Sequence, residues 1–161
     1  MWQHPRMPSK RPTVASEVRM ITVGDFMTKE LVTADEGDDL ALAESMLRLG
    51  GIRHLPVVRA GRLVGLVTHR DLLRTVATHE RRGSAIGEIM VRSPETVGPR
   101  TSLVAAARTM LARKYGCLPV VEGDGKLVGI ITESDFVRFA ADVVQDLDLV
   151  AEAQAPGVER V

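Results

Sequence analysis

Two stretches of the chain carry nearly the same sequence, HLPVVRAGRLVGLVTHRD at residues 54–71 and CLPVVEGDGKLVGIITESD at residues 117–135. The similarity extends outward from them, so that residues 24–77 reappear as residues 87–141, with 17 of the 54 aligned positions identical. The offset grows from 63 to 64 residues because Asp124 lengthens the second turn. A unit repeated once indicates two half-modules related by a pseudo-two-fold axis, and function is expected where the copies meet.

Each copy predicts the same order of elements, namely strand, helix, strand, strand and helix. In the first copy, residues 31–34 are predicted as a short strand, and Asp38 or Asp39 as the cap of the first helix. The strands HLPVV and RLVGLVT flank a predicted turn at Ala60–Gly61, and a second helix starts at Asp71. Strands such as LVGIIT are apolar on both faces, which indicates an α+β fold in which helices cover a small sheet.

Composition excludes several classes of protein. The 161 residues are 45% apolar, enough to bury one core or two small halves that share one. Formal charge is zero, with 21 basic and 21 acidic residues, so neither nucleic acid nor an anionic membrane is expected as the main partner. A single cysteine, Cys117, allows no internal disulfide and fits a reducing cytosol. No apolar run is long enough to span a bilayer, and the expected location is the cytoplasm.

The ends of the chain differ from its middle. Residues 1–20 form a basic arm with four cationic residues and one acidic residue, net +3, which is expected to be flexible. Residues 21–80 contain the first repeat and residues 81–141 the second. Residues 142–161 hold five acidic residues and one arginine, net −4, and are predicted to form a helix or tail.

A threonine three residues before an aspartate ends the last strand of each copy, as Thr68 with Asp71 and Thr132 with Asp135. The simplest interpretation is a capping box at a helix N-terminus. The same corner also offers the groups that a nucleoside needs, because an apolar wall suits a base, a carboxylate suits the ribose hydroxyls, and a helix N-terminus suits phosphate. Both interpretations can hold together.

The LPVV strand, the corner of glycine, two apolar residues, threonine and aspartate, and the upstream DFMT and EIMV segments together resemble a tandem pair of CBS domains, a family named after cystathionine β-synthase. The resemblance covers residues 21–141. It implies two β-α-β-β-α repeats packed sheet to sheet in pseudo-two-fold symmetry. It also implies a regulatory role, in which AMP, ADP, ATP or S-adenosylmethionine binds between the repeats and no other cofactor is required.

The resemblance places the corner of one copy opposite the early strand of the other, which gives two clefts. The Asp135 cleft is expected to hold Gly129, Ile130, Thr132, Ser134 and Asp135 with Val32, Thr33, Ile52 and Arg53. The Asp71 cleft is expected to hold Gly65, Leu66, Thr68, Arg70 and Asp71 with Glu95, Thr96, Tyr115 and Gly116. In both, the aspartate is the candidate ribose ligand and the threonine a candidate for ribose or phosphate.

The two predicted clefts differ in charge. Arg53 and Arg70 are candidate phosphate donors, with His54 and His69 as weaker ones, and solvated surface charge is the alternative for all four. Glu95 places a carboxylate where a base is expected, so the sequence ranks the Asp135 cleft above the Asp71 cleft.

Two other classes of function remain. An enzyme is not expected, because the histidines and the cysteine form no catalytic constellation and no HExxH, paired CxxC or GxxxxGK[ST] motif is present. A ligand-free dimerisation or scaffold module is the stronger alternative. For a sensor, the sequence predicts a homodimer that signals to an effector protein in trans, without identifying that effector.

Overall fold

A computed structural model describes residues 20–77 and 84–154 as a mixed fold of helices and strands. Residues 1–19 of the basic arm, residues 78–83 between the repeats and residues 155–161 of the acidic tail lie outside the described residues. The elements in chain order are α1 (Val23–Phe26), β1 (Ala34–Asp35), α2 (Leu40–Leu49), β2 (His54–Arg59), β3 (Arg62–Thr68), α3 (His69–Ala77), a short 3-10 helix (Ile86–Glu88), β4 (Val91–Arg92), α4 (Leu103–Arg113), β5 (Cys117–Glu122), β6 (Lys126–Thr132) and α5 (Glu133–Gln154). The predicted α+β class and its duplication are confirmed.

The strands are connected in the order β1-β2-β3-β6-β5, with β4 paired to β3. Strands β2 and β3 form one antiparallel hairpin, and β5 and β6 form the other in matching register. The hairpins meet beside their turns, where Arg62 pairs with Lys126 and the Leu63 N–H donates to the Gly125 carbonyl at 3.0 Å. The sheets of the two repeats are therefore continuous at this point.

The segment that opens the first repeat, its lead segment, packs in the core of the second repeat. Val23 is fully buried in the same cluster as Leu118 and Ile131. Thr28 and Ile130 exchange two backbone hydrogen bonds, of 2.9 and 3.0 Å. The start of the first repeat is thus anchored on β6, which belongs to the second.

The segment that opens the second repeat, its lead segment, makes the reciprocal crossing. Ile86 and Met90 are buried with Leu55 and Val67 of the first repeat, and β4 pairs with β3. Arg92 donates to Glu36 at 3.0 Å. The folded halves are consequently interlocked, since each contains a segment that the sequence boundaries assign to the other.

This crossing explains the paired glycines of the duplicated strands. A Cβ on Gly65 would lie 2.3 Å from Sδ of Met90, and one on Gly129 would lie 2.4 Å from Sδ of Met27. Both distances are far below van der Waals contact. The glycines therefore admit the methionines of the crossing segments, DFMT in the first copy and EIMV in the second.

The predicted turn at Ala60–Gly61 and the predicted cap of α2 are present. The strand before α2 is shorter than predicted. Asp39 caps α2, since its carboxylate accepts from the Leu42 N–H at 2.7 Å. Ala60 and Gly61 both have positive φ, 49° and 75°, as a tight hairpin turn with the twist of its strands requires. The first strand covers only Ala34–Asp35, which pair with Val57 and Val58 of β2, so the predicted strand at residues 31–34 is wrong except at its last residue.

The last helix extends well beyond the second repeat. α5 runs from Glu133 to Gln154, so the first part of the acidic segment is helical, as one of the two predictions for it required. No helix within the described residues has the length and apolar character that crossing a membrane requires.

Candidate functional site

Two cavities lie where the repeats meet, and each combines a strand-to-helix corner of one repeat with residues of the other. The cavity beside the Thr68–Asp71 corner, the Asp71 cleft, has a volume of about 420 Å³. The cavity beside the Thr132–Asp135 corner, the Asp135 cleft, has a volume of about 240 Å³. Small-molecule sites in proteins typically measure about 300–1,000 Å³, so the Asp71 cleft alone reaches that range as it stands.

Most of the predicted site residues line these cavities in the crosswise arrangement expected from the resemblance. The Asp71 cleft is lined by Leu66, Thr68 and Arg70 from the first repeat and by Glu95, Tyr115 and Gly116 from the second. The Asp135 cleft is lined by Ile130, Thr132, Ser134 and Asp135 from the second repeat and by Val32, Ile52 and Arg53 from the first.

Five predicted residues do not line the cavities. Gly65 and Gly129 are covered by Met90 and Met27, so their bare backbone is used in packing. Thr33 and Thr96 lie outside the cavity walls, as does Asp71, which is hydrogen-bonded to the lining residue Thr68.

Both aspartates make the hydrogen bonds of a capping box. Oδ2 of Asp71 accepts from the Thr68 N–H at 2.9 Å and the Thr68 hydroxyl at 2.6 Å. Oδ2 of Asp135 accepts from the Thr132 N–H and hydroxyl, both at 2.8 Å. At the first corner the Asp71 N–H donates in return to the Thr68 hydroxyl at 3.3 Å, which completes the predicted capping box there. At both corners the motif occupies one oxygen of the carboxylate.

The second carboxylate oxygen differs between the corners. Oδ1 of Asp135 accepts from Arg138 at 3.2 Å, and the residue is only 6% exposed. Oδ1 of Asp71 accepts no hydrogen bond from any residue that the structure describes, and Asp71 is half-buried. A ligand that approaches Asp71 would therefore meet an acceptor not already engaged within the described parts of the chain.

A wall shared by the two clefts is formed by Arg53, His54, Gly116 and Glu133, which line both cavities. Gly116 is required here, because a Cβ at this position would lie 2.9 Å from Nε2 of His54. Backbone hydrogen bonds fix the wall, from the Glu133 N–H to the Gly116 carbonyl at 3.1 Å and from the His69 N–H to the Arg53 carbonyl at 3.0 Å.

The electrostatics of this wall favour a neutral imidazole. Burial lowers the pKa of His54 below its ordinary value, and Arg53 acts in the same direction. Glu133 and Asp71 oppose that shift without overcoming it. Burial also raises the pKa of the neighbouring Cys117 thiol to about 12, which makes it a packing residue and not a nucleophile.

The structure adds charged residues that the sequence interpretation did not include. Lys114 lines the Asp71 cleft, Glu133 lines both clefts, and Glu30 and Arg138 line the Asp135 cleft. Lys114 could have been noticed in the sequence, because the second repeat has a lysine at the position where the first repeat has Gly51. The position of Glu30 depends on the crossing of the lead segment, which the duplication alone does not reveal.

The predicted ranking of the clefts finds no support in their geometry. The lower-ranked Asp71 cleft is the larger of the two. Glu95, whose charge motivated the ranking, has a side chain that is 41% exposed and lies 3.9 Å from the Arg113 guanidinium. Solvent and Arg113 both weaken its field in the cleft.

Within residues 20–77 and 84–154, no group of three or more histidine, cysteine, aspartate or glutamate side chains is arranged to hold a metal ion. The chemistry available in the clefts is that of hydrogen bonding, apolar contact and charge.

A family model for the CBS domain matches residues 23–78 and again residues 86–142. The chain belongs to the CBS domain family. The two matches coincide with the two sequence copies, and the resemblance drawn from the LPVV strands and the threonine–aspartate corners is confirmed.

Solved structures of CBS-domain pairs resemble this chain closely. CBSX2 of Arabidopsis thaliana, solved in complex with AMP, is 36% identical with a TM-score of 0.69, over 76% of this chain and 97% of that one. The CBS domain pair of protein MJ0100, solved with 5′-methylthioadenosine and S-adenosyl-L-methionine, is 29% identical with a TM-score of 0.71, over 77% and 98% of the two chains.

Curated relatives include larger proteins. An inosine-5′-monophosphate dehydrogenase of Korarchaeum cryptofilum is 34% identical over 110 residues, which are 68% of this chain and 22% of the dehydrogenase. The chain spans 22% to 47% of the length of the first three curated relatives that it matches. In those relatives the CBS pair is therefore a part of a longer protein.

Proposed function

We propose that this CBS-domain pair is a regulatory module that binds adenosine-containing ligands in its two clefts and signals their presence to an effector protein in trans. The expected ligands are AMP, ADP, ATP or S-adenosylmethionine, and the expected location is the cytoplasm. The module performs no reaction on its ligand. The observation that carries the proposal is the Asp71 cleft, in which an apolar wall, a corner threonine and several cations surround a cavity of ligand size.

The Asp71 cleft offers a separate group for each part of a nucleotide. Leu66, Val91 and Pro119 supply apolar surface for a base. The Thr68 hydroxyl and the oxygen of Asp71 that no described residue uses suit a ribose. Arg70 supplies a planar, permanently charged donor for phosphate.

The solved relatives support the ligand class. AMP bound to CBSX2 carries adenosine with a phosphate, whereas 5′-methylthioadenosine and S-adenosylmethionine, bound to the MJ0100 pair, carry adenosine without one. Adenosine is the shared part, so we expect it to be recognised here as well, with the substituent at the 5′ position selected by the charges that this chain supplies.

Signalling to an effector is the part of the proposal that depends on movement between the repeats. Each cleft takes residues from both repeats, so a ligand that prefers one relative arrangement of the repeats shifts the population toward it. The interlocked lead segments transmit such a shift, because Thr28 moves with β6 and β4 moves with β3.

The proposed module is a homodimer, since the outer helices expose large apolar side chains. Leu111 on α4 and Val137 on α5 are 79% and 69% exposed, and Leu49 at the end of α2 is 78% exposed. An apolar groove of about 400 Å³ lies between α4 and α5, lined in part by Met110, Leu111 and Phe136. A second copy of the chain would cover this surface.

The dimer is tested by light scattering after size-exclusion chromatography. Leu111→Glu places a charge on the apolar groove and is expected to convert the dimer to a monomer, whereas Arg108→Glu on the same helix is the control for a change of charge alone. A wild-type chain that elutes as a monomer at all concentrations would exclude the proposed dimer.

Ligand binding is tested by thermal unfolding with AMP, ADP, ATP and S-adenosylmethionine. A ligand at 100 times its dissociation constant stabilises the native state by about 2.7 kcal/mol, which raises the melting temperature by several degrees. Guanosine monophosphate is the matched control for non-specific phosphate binding. No shift with any adenosine compound would favour the alternative function, a ligand-free scaffold held together by its caps and interlocked segments.

The absence of turnover is tested on the same samples. Chromatography of ATP after incubation with the protein is expected to recover the intact nucleotide, and release of ADP or phosphate in proportion to protein would contradict a purely regulatory role.

A further inference from the structure

The two clefts can be compared position by position, because their walls are built from equivalent residues of the two repeats. Arg53 and Glu133 line both clefts, so their opposite charges do not distinguish one from the other. Discrimination must come from the residues that each cleft has to itself.

The residues particular to the Asp71 cleft make it cationic. Arg70 and Lys114 bring two positive charges against the single negative charge of Glu95, a net of +1 for the cavity wall with the histidines neutral. Asp71 lies outside that wall, and counting its carboxylate brings the net to zero, which is still more positive than the Asp135 cleft. The Glu95 carboxylate lies 3.9 Å from Arg113, which is outside the cavity wall. Arg113 therefore balances the charge of Glu95, and the positive charges of Arg70 and Lys114 remain available to a ligand. His69 adds a further donor.

The residues particular to the Asp135 cleft make it anionic. Glu30 and Asp135 bring two negative charges against the single positive charge of Arg138, a net of −1. Arg138 donates to Asp135 at 3.2 Å, and this pair leaves Glu30 as the charge that faces a ligand. Ser134 and Gly51 stand here at the repeat positions of Arg70 and Lys114.

Lys114 ends α4 in the left-handed conformation that its repeat equivalent provides with a glycine. Lys114 follows α4 with φ of 57°, and its equivalent Gly51 follows α2 with φ of 60°. Glycine adopts this left-handed conformation readily, whereas lysine adopts it at an energetic cost. The second repeat therefore carries a cation in the larger cleft at a position where the first repeat has no side chain.

We propose that the two clefts divide adenosine-containing ligands by charge, with the Asp71 cleft selecting phosphorylated ligands and the Asp135 cleft selecting uncharged or cationic ones. This division rests on the proposed function and replaces the ranking of the clefts by affinity. A phosphate gains charge-assisted hydrogen bonds from Arg70 and Lys114 in the first cleft and meets the Glu30 carboxylate in the second. A neutral thioether or a sulfonium group at the 5′ position avoids that repulsion.

The test is isothermal titration calorimetry with AMP and ATP as phosphorylated probes and 5′-methylthioadenosine as the uncharged probe. Each variant copies the residue of the other repeat. Arg70→Ser and Lys114→Gly are expected to weaken AMP and ATP binding by about 10-fold each, the loss typical of one exposed charge-assisted contact, and to leave 5′-methylthioadenosine unchanged. Arg108→Ser, an exposed arginine on α4 away from both clefts, is the control for loss of charge.

Lys114→Gly separates a binding role from a structural one. Glycine relieves the left-handed backbone, so this variant is expected to melt at a higher temperature than the wild type while it binds AMP and ATP more weakly. Unchanged nucleotide affinity in Lys114→Gly and Arg70→Ser would overturn the division.

Ser134→Arg and competition complete the test. Ser134→Arg is expected to add affinity for AMP in the Asp135 cleft, and saturating 5′-methylthioadenosine is expected to leave the AMP isotherm of the wild type unchanged. Displacement of AMP by 5′-methylthioadenosine, or binding of 5′-methylthioadenosine without AMP or ATP, would overturn the division and leave the proposed function standing. If none of the probes binds, the proposed function fails as well.

Discussion

The two strand-to-helix corners are alike in backbone and different in what their carboxylates can still do. Asp71 and Asp135 cap their helices through the same oxygen, with the same two groups of the preceding threonine. Asp135 is buried and also bound by Arg138, while Asp71 is half-buried and keeps an acceptor that no described residue uses. Duplication preserved the fold at both corners, and later divergence changed the chemistry of the clefts beside them.

The largest effect should come from removing the buried corner carboxylate. Asp135→Ala leaves the half-buried Thr132 N–H and hydroxyl without their acceptor and removes the ion pair with Arg138, at a cost of about 3 kcal/mol in the free energy of unfolding. Asp71→Ala removes one partner fewer at a more exposed position and should cost about 1–2 kcal/mol. Urea denaturation measures both, with the exposed Asp148→Ala on α5 as control, and equal losses would break the comparison.

The next effect concerns a feature in which the repeats should behave alike. Gly65→Ala and Gly129→Ala each force a Cβ against a methionine sulfur, at 2.3 and 2.4 Å, and should each destabilise the fold by about 1–3 kcal/mol. Gly123→Ala, in an open turn, is the matched control. The interlocking of the lead segments predicts that Met90→Ala relieves the Gly65→Ala defect and not the Gly129→Ala defect. If Met90→Ala did not relieve the Gly65→Ala defect, or relieved both defects equally, the interlocking of the lead segments would be contradicted.

The smallest effect is a dependence of stability on pH through the shared wall. The pKa of His54 is lower in the folded state, so the unfolded chain takes up a proton first as the pH falls below about 6.5. The contribution of His54 to the free energy of unfolding should therefore decrease as the pH falls below about 6.5. It should stop decreasing once the pH is below the pKa of His54 in the folded state. His54→Gln should flatten the dependence of unfolding free energy on pH between about 7 and 5, relative to His69→Gln. Parallel curves for wild type and His54→Gln would show that the imidazole makes no such contribution.

Most of the fold could be predicted from the sequence, because the same sequence of elements occurs twice in the chain. The hairpins follow from the apolar strands around Ala60–Gly61, and the helix starts follow from Asp39 and the threonine–aspartate corners. The crossing of the lead segments could not be predicted in this way. A short segment such as Val23–Phe26 has no periodicity that tells which of two similar cores it enters.

The candidate site was predicted less completely than the fold. Residues of the strand-to-helix corners, such as Thr68 and Arg70, were found because their position relative to the strand fixes where they lie. Gly65 and Gly129 were assigned to the clefts from the same motif, although the duplicated glycine serves methionine packing. Glu30 and Lys114 were missed, since they reach the clefts from the crossing segment and from a helix end.

The crystal structure of the chain with AMP tests the central claim most directly. We predict one AMP in the Asp71 cleft, with its ribose at Thr68 and Asp71 and its phosphate within hydrogen-bond distance of Arg70 and Lys114. Two results would contradict this prediction. One is that both clefts are empty in crystals grown with a large excess of AMP, and the other is a bound phosphate that contacts neither Arg70 nor Lys114.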